Sequence, residues 1–239
     1  MIEIFEITRS WLNSWNDVKV LGLNYWATVA FVGTMGFTFI EGIGLTLQTK
    51  RIWSQKSTLA LSFEWMAVSA ATFVAVFLYG LDTGCLSTTM NGLALTIIYI
   101  PLLGGMWRFG KLNDYDHKLL ECLGAAIVLD LIMPLPTVRA TIFWGCAMLG
   151  LRCLSREPAK MNAEKTVGVV DPVMLVSFIA SSFFWSLYGW TLRDWNMFGI
   201  ASSNLALLSW TMKVWIKWKL DEIEKDLKIL FQDPDEYDG

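Results

Sequence analysis

The chain has 239 residues, of which 54% are hydrophobic, 14% aromatic and only 17% charged, with a formal net charge of −3. Together with a mean hydropathy of +0.45, this balance excludes an ordinary soluble domain, in which apolar stripes alternate with charged faces. Here the charges gather between long apolar blocks, so the sequence reads as an all-α membrane protein.

Residues 1–22 carry Glu3, Glu6, Arg9, Asp17 and Lys19 without the apolar core of a removable signal. Ile2, Phe5, Trp11, Leu12 and Trp15 fit one face of a helix lying on the bilayer, with a frayed polar tail as the alternative. The block 25–48 follows, with Glu41 as its only charge. At 1.5 Å per residue it is long enough to cross a hydrocarbon layer of about 30 Å. Further blocks at 59–81, 85–106, 119–135, 137–154, 169–191 and 195–216 bring the expected spans to seven. Only Pro134-Leu135-Pro136 separates the fourth from the fifth, so these two read either as short spans or as one broken element. Beyond Leu220, Asp221, Glu222, Glu224 and Asp226 mix with Lys225 and Lys228, the pattern of a cytosolic helix that frays into an acidic tail.

Lys and Arg are retained on the cytosolic side of spans. Placing the N-terminus outside puts 15 of the 19 Lys and Arg inside and leaves only Arg9, Lys19, Arg139 and Arg193 outside. The expected topology is therefore N-terminus outside and C-terminus cytosolic, in a plasma or inner membrane. Trp26, Trp53, Trp107, Trp195, Trp215 and Trp218 fall near the expected interfaces, as an aromatic belt does. Cys85, Cys122, Cys146 and Cys153 lie in or beside apolar blocks at no metal-ligand spacing, so neither zinc nor a disulfide framework is expected.

The second block closes on Leu78-Tyr79-Gly80 and the sixth on Leu187-Tyr188-Gly189. An acidic connection follows each (Asp82, Asp194), then a block with an early asparagine (Asn91, Asn204). Two three-span units run parallel only when an odd number of spans separates them, so the fourth block acts as an inverting linker. The expected organisation is an N-terminal segment 1–22, a first three-helix repeat 23–112, a linker helix 113–136, a second repeat 137–218 and a tail 219–239.

The stretch from Leu47-Gln48 through Lys50-Arg51-Ile52-Trp53 to Lys56-Ser57 resembles the Pro-Gln loop of the SWEET and PQ-loop superfamily of small-solute transporters. Phe184-Trp185-Ser186-Leu187-Tyr188-Gly189 is similar to that family's Cys-Trp-Thr-x-Tyr-Gly. The resemblance implies a substrate pocket between the two three-helix units. By residue match its asparagines are Asn91 and Asn204, its tryptophan is Trp185 opposite Val76, and Thr72 and Ser181 face the solute one turn away. Leu47 and Trp65 replace helix-bending prolines of the family, and Pro172 lies only near a third. Gly33, Gly36, Gly42 and Gly44 are the alternative sites of bending or close packing. Val76 leaves one side of the pocket wider.

An asparagine amide offers two donors and an acceptor to a polar solute, or equally to a neighbouring helix. Glu41 and Asp130 are deep carboxylates that need a partner, water or a proton; Glu41 is thus a candidate for proton coupling, or a hydrogen-bond partner of a nearby backbone. His117, beside Asp114 and Asp116, belongs to a solvated loop. No nucleophile motif, metal set or phosphate loop appears, so neither an enzyme nor a cofactor is expected. The expected function is an alternating-access carrier for a small neutral polar solute, with a sugar foremost. The expected partners are that solute and the bilayer, with no nucleic acid and with homo-oligomerisation open. The alternatives are a carrier of nicotinamide riboside or amino acids on a similar plan, or a seven-helix receptor or sensor. A retinal protein does not fit, because Lys213 lies near the inner end of the last block.

Overall fold

The computed structural model describes residues 14–20 and 25–231. The expected surface helix therefore falls mostly outside the described residues, as does the acidic end 232–239. After a 3-10 turn at Val18–Val20, eight helices follow: α1 Tyr25–Gln55, α2 Phe63–Thr83, α3 Leu86–Phe109, α4 Asp114–Ile132, α5 Pro136–Leu154, α6 Glu157–Glu164, α7 Pro172–Leu192 and α8 Trp195–Phe231. No strand occurs among the described residues. Of these helices, α1, α2, α3 and α7 are long and apolar enough to cross a membrane. Their outward faces expose large apolar side chains such as Phe39, Ile43, Ile100, Val176 and Phe183, which suits contact with lipid. The chain is an all-α, multi-pass integral membrane protein. Helices α4, α5 and α8 correspond to the other expected spans and are less apolar.

Local chemistry sets the boundaries. Ser62 caps α2 by accepting from Trp65 N, and Asp171 caps α7 by accepting from Val173 N, with Pro172 at the first helical position. Asn113 and Asp116 form a reciprocal capping box at the start of α4. Pro134 and Pro136 divide α4 from α5, so the broken-element alternative resolves into two helices. Three expected limits change. Helix α1 runs seven residues past Gln48, which places Gln48 inside a helix rather than a loop; α8 passes without a break through the expected boundary at 218 to reach Phe231; and α6 was not anticipated. Pro158 explains α6, since a proline cannot donate to the carbonyl four residues back, and α5 stops at Leu154.

Helix α3 packs between α1 and α2, and α8 packs against α7 and α5, while α1 meets α7, α2 meets α5, and α4 lies at the margin on α2 and α5. Asp130 of α4, buried in apolar surroundings, is matched by Arg139 of α5 at 3.6 Å, and Arg139 also bonds Asp82 of α2. The glycines of α1 serve close packing: a Cβ on Gly33 would strike the Phe184 ring at 2.1 Å, and one on Gly44 would meet Met174 Cα at 2.9 Å.

The two halves match at one offset. Helix α2 begins at Phe63 and α7 at Pro172, 109 positions later, and each has 21 residues. The Leu-Tyr-Gly tripeptides gain a physical reason at that offset. A Cβ on Gly80 would lie 2.6 Å from Thr89 N, and one on Gly189 would lie 2.6 Å from Phe198 N, so each glycine lets the next helix's backbone pass. Each helix then ends on a left-handed residue, Gly84 (φ 61°) or Arg193 (φ 59°).

The same offset relates a reciprocal clasp where α1 ends and α7 begins, here called the far end. Gln48 Nε2 donates to Val169 O at 2.9 Å, Asp171 N donates to Gln48 Oε1 at 2.8 Å, and Arg51 donates to Val170 O at 3.1 Å. In return, Ser62 N donates to Glu157 Oε2 at 3.3 Å, and Lys160 Nζ donates to Leu61 O at 2.7 Å. Positions 157, 160, 61 and 62 match 48, 51, 170 and 171 with their roles exchanged. One atom breaks the match: Glu157 Oε1 is buried without a hydrogen-bond partner, where Gln48 has its donating nitrogen.

Burial lifts the Glu157 carboxyl from 4.5 to about 7, against the opposing pull of Lys160 and the Ser62 hydrogen bonds and with a further upward push from Glu164. The nearby Arg156 is paired with Glu64 at 3.2 Å. Because the folded-state value lies above the unfolded one, the native state favours the protonated form. That contribution is complete below the unfolded value and is lost as pH rises through about 7. The purified protein should therefore lose about 2 kcal/mol of stability from this group between pH 5.5 and 8.5. Glu157→Gln, which does not titrate, should gain on wild type by that amount over the same range. Thermal unfolding of both proteins across that range checks the expectation, and parallel curves would remove it.

Candidate functional site

The helix packing leaves a central cavity of about 140 Å³ between the two halves. Helix α1 contributes Glu41, α2 contributes Thr72 and Val76, α3 Asn91, α5 Phe143, α7 Ser181 and Trp185, and α8 Asn204. The seven residues expected to form a pocket or couple protons thus line one space. Gln48 does not; it belongs to the far-end clasp.

The two asparagines differ in depth and in partners. Asn91 follows Gly80 by 11 positions, whereas Asn204 follows Gly189 by 15. Asn204 therefore lies one helical turn, about 6 Å, farther along its helix. Asn91 is buried and its Nδ2 donates to Thr38 Oγ1 at 3.0 Å and to Glu41 Oε2 at 3.2 Å. Asn204 is half-buried and has no side-chain hydrogen bond among the described residues. Helix-to-helix bonding thus holds Asn91, and Asn204 is the amide open to the cavity.

The remaining polar groups divide in the same way. Thr72 Oγ1 donates to Val68 O on its own helix at 2.8 Å. Ser181 is 1% exposed, and its hydroxyl, beside the Glu41 carboxylate, has no hydrogen bond of normal geometry. Glu41 is 4% exposed and is the only ionisable residue of the lining. The space opened by Val76 is occupied by Phe143, which stacks on Tyr79 at 4.8 Å between centroids. Trp185 stands edge-on to Tyr188 at 5.5 Å. Sequence matching missed Phe143 because it comes from a helix other than the one that carries Trp185's counterpart; the cluster Phe143-Trp144 was the available signal.

At its far end the cavity stops at Trp65, Leu154, Phe178 and Leu208, all buried. At the near end, where α1 begins, Thr88 and Met197 line both this cavity and a second, shallower recess bounded by Tyr79, Cys85, Tyr188 and Asp194. The N-terminal segment straps that recess. Asn16 N donates to Gly84 O at 2.7 Å, and Asn16 Nδ2 donates to Thr83 O at 2.8 Å. Asp17 accepts from Leu86 N, Ser87 N and Ser87 Oγ, each at 2.9 Å, and from Tyr188 OH at 3.3 Å. A carboxylate from outside α3 thus satisfies the free amides at its start and also reaches α7. Composition marked Asp17 only as a charge in a polar segment.

Among the described residues, no group of three or more His, Cys, Asp and Glu side chains is placed to hold a metal ion. No family model matches the chain. No curated protein matches it in sequence. Among solved structures, the fold is similar to that of a eukaryotic SWEET transporter, with a TM-score of 0.53 and 14% identity over 80% of this chain and 99% of that one.

Proposed function

We propose that the chain is a membrane carrier that moves a small polar solute by alternating access. In this reading α1 to α3 form one three-helix unit and α5, α7 and α8 a second, parallel one, with α4 as the inverting linker and the short α6 as a connection within the second unit. The observation that carries it is the cavity, which lies between the matched halves and is bounded by a different closure at each end. The common offset of helix starts, glycine contacts and clasp residues supports the repeat. The distribution of Lys and Arg supports a near end outside and a far end in the cytosol. Asn204, Ser181 and Trp185 supply an open amide, an open hydroxyl and an aromatic surface, a set that suits a small solute with polar and apolar faces. A sugar is the class that the family resemblance brings forward.

Proteoliposome uptake across sugars, amino acids, nucleosides and small amines tests the reading. Asn204→Ala should raise KM about three- to tenfold for the transported solute, the worth of one hydrogen bond, and leave thermal stability unchanged. Asn91→Ala should instead cost about 1–3 kcal/mol of stability by stranding Glu41 and Thr38. Equal effects of the two variants on both readouts would contradict the division of roles.

The strap offers a second test. In a background lacking Cys122, Asp17→Ala should speed maleimide labelling of Cys85 several-fold, because Cys85 Sγ lies 3.4 Å from Asp17 Oδ2 beneath the strap. An unchanged labelling rate would show that Asp17 does not hold the near end shut.

A further inference from the structure

Glu41 holds a carboxylate in the central cavity without a protein cation. No Lys, Arg or His is among the lining residues. Arg139 of α5, half-buried, is engaged by Asp82 and Asp130. The groups that do reach Glu41 are neutral: Asn91 donates to it at 3.2 Å, and Ser181 lies beside it. An ionised carboxylate in such a setting is costly unless a positive charge accompanies it. The scaffold does not demand this charge, since the matching position in the other half is Gly150, which also lines the cavity.

The rest of the lining suits a compact cation. Aromatic residues Trp65, Phe143, Phe178 and Trp185 border the space, and ring quadrupoles attract desolvated ammonium groups. Ser181, 1% exposed, and Asn204 leave a hydroxyl and an amide unengaged for a polar substituent. A cavity of about 150 Å³ holds a six-membered carbon ring, so a compact solute of about six to eight non-hydrogen atoms fills the 140 Å³ here.

The geometry points to a small amine-bearing cation, its ammonium group paired with Glu41 and its polar substituent bound by Ser181 and Asn204, as the solute of this cavity. This assignment rests on the carrier reading and narrows its substrate class away from neutral sugars.

Currents and uptake in proteoliposomes test it with choline and ethanolamine as probes, 3,3-dimethylbutan-1-ol as the neutral isostere of choline, and glucose. Wild type should take up an amine at least about tenfold faster than the neutral isostere, with inward movement of positive charge. Glu41→Gln, which removes the charge at constant shape, should abolish that preference while keeping its thermal stability and monodispersity. Equal uptake of choline and its isostere would overturn the assignment. So would uptake of a neutral solute that requires Glu41 and an imposed proton gradient, because the positive charge would then be a proton. Thermal shift separates failure of the carrier reading: stabilisation of wild type but not Glu41→Gln by choline, without uptake, retains the site and removes the carrier. Neither shift nor uptake removes both.

Discussion

The arrangement of this bundle depends on the far-end clasp. Helices α2 and α7 bring Thr72, Val76, Ser181 and Trp185 to the cavity, and the backbone N–H of the capping residue at the start of each, Ser62 or Asp171, is bound by a side chain from the opposite half. A helix start has free amides that hydrocarbon cannot satisfy, so whichever group caps it also fixes where the helix stands. Gln48 does this with a donor and an acceptor, whereas ionised Glu157 has only acceptors. Protonation restores the missing donor. One half is therefore tied by a group indifferent to pH and the other by a group that titrates, a physical asymmetry within a matched backbone.

The near end is closed by different chemistry. Asp17 offers its carboxylate to the start of α3 and to Tyr188 of α7, so a segment outside the eight helices completes a helix cap. The far-end clasp is built into the helices and their connecting loops, while the near-end strap, held by the hydrogen bonds of Asn16 and Asp17, lies outside them. Of the two, a strap held by hydrogen bonds is the less costly to release.

The helical, membrane-embedded character of the chain was legible because long apolar blocks with few charges have few other solutions. The Leu-Tyr-Gly pair was legible for a good reason, since both glycines stand where the next backbone crosses at the same distance. The asparagines were legible as a pair. Both were visible as polar residues in apolar blocks, but their one-turn difference in depth shows only against the glycine closures. Glu157 was hidden because Arg156-Glu157-Pro158 shares no residue with Leu47-Gln48-Thr49, and Pro158 breaks the helix that runs straight in α1. Phe143 was hidden because the side chain that fills the space beside Val76 comes from another helix, and one-dimensional matching does not carry such a substitution.

A duplicated scaffold would give a symmetric cavity if both halves kept equivalent side chains. They do not: Glu41 matches Gly150, Trp185 matches Val76, and Asn204 has no counterpart at Leu95. Each departure puts the larger or more polar member on one side, the charge on α1, the indole on α7 and the open amide on α8. The matched backbones carry the exchanged clasps, for which equivalence is useful. Recognition needs the reverse, because a small solute with distinct ends is oriented only by a site whose sides differ. The carboxylate is the strongest of these differences, since its field acts over longer range than any hydrogen bond in the lining and, buried without a protein counter-charge, it calls for a proton or a cation beside it.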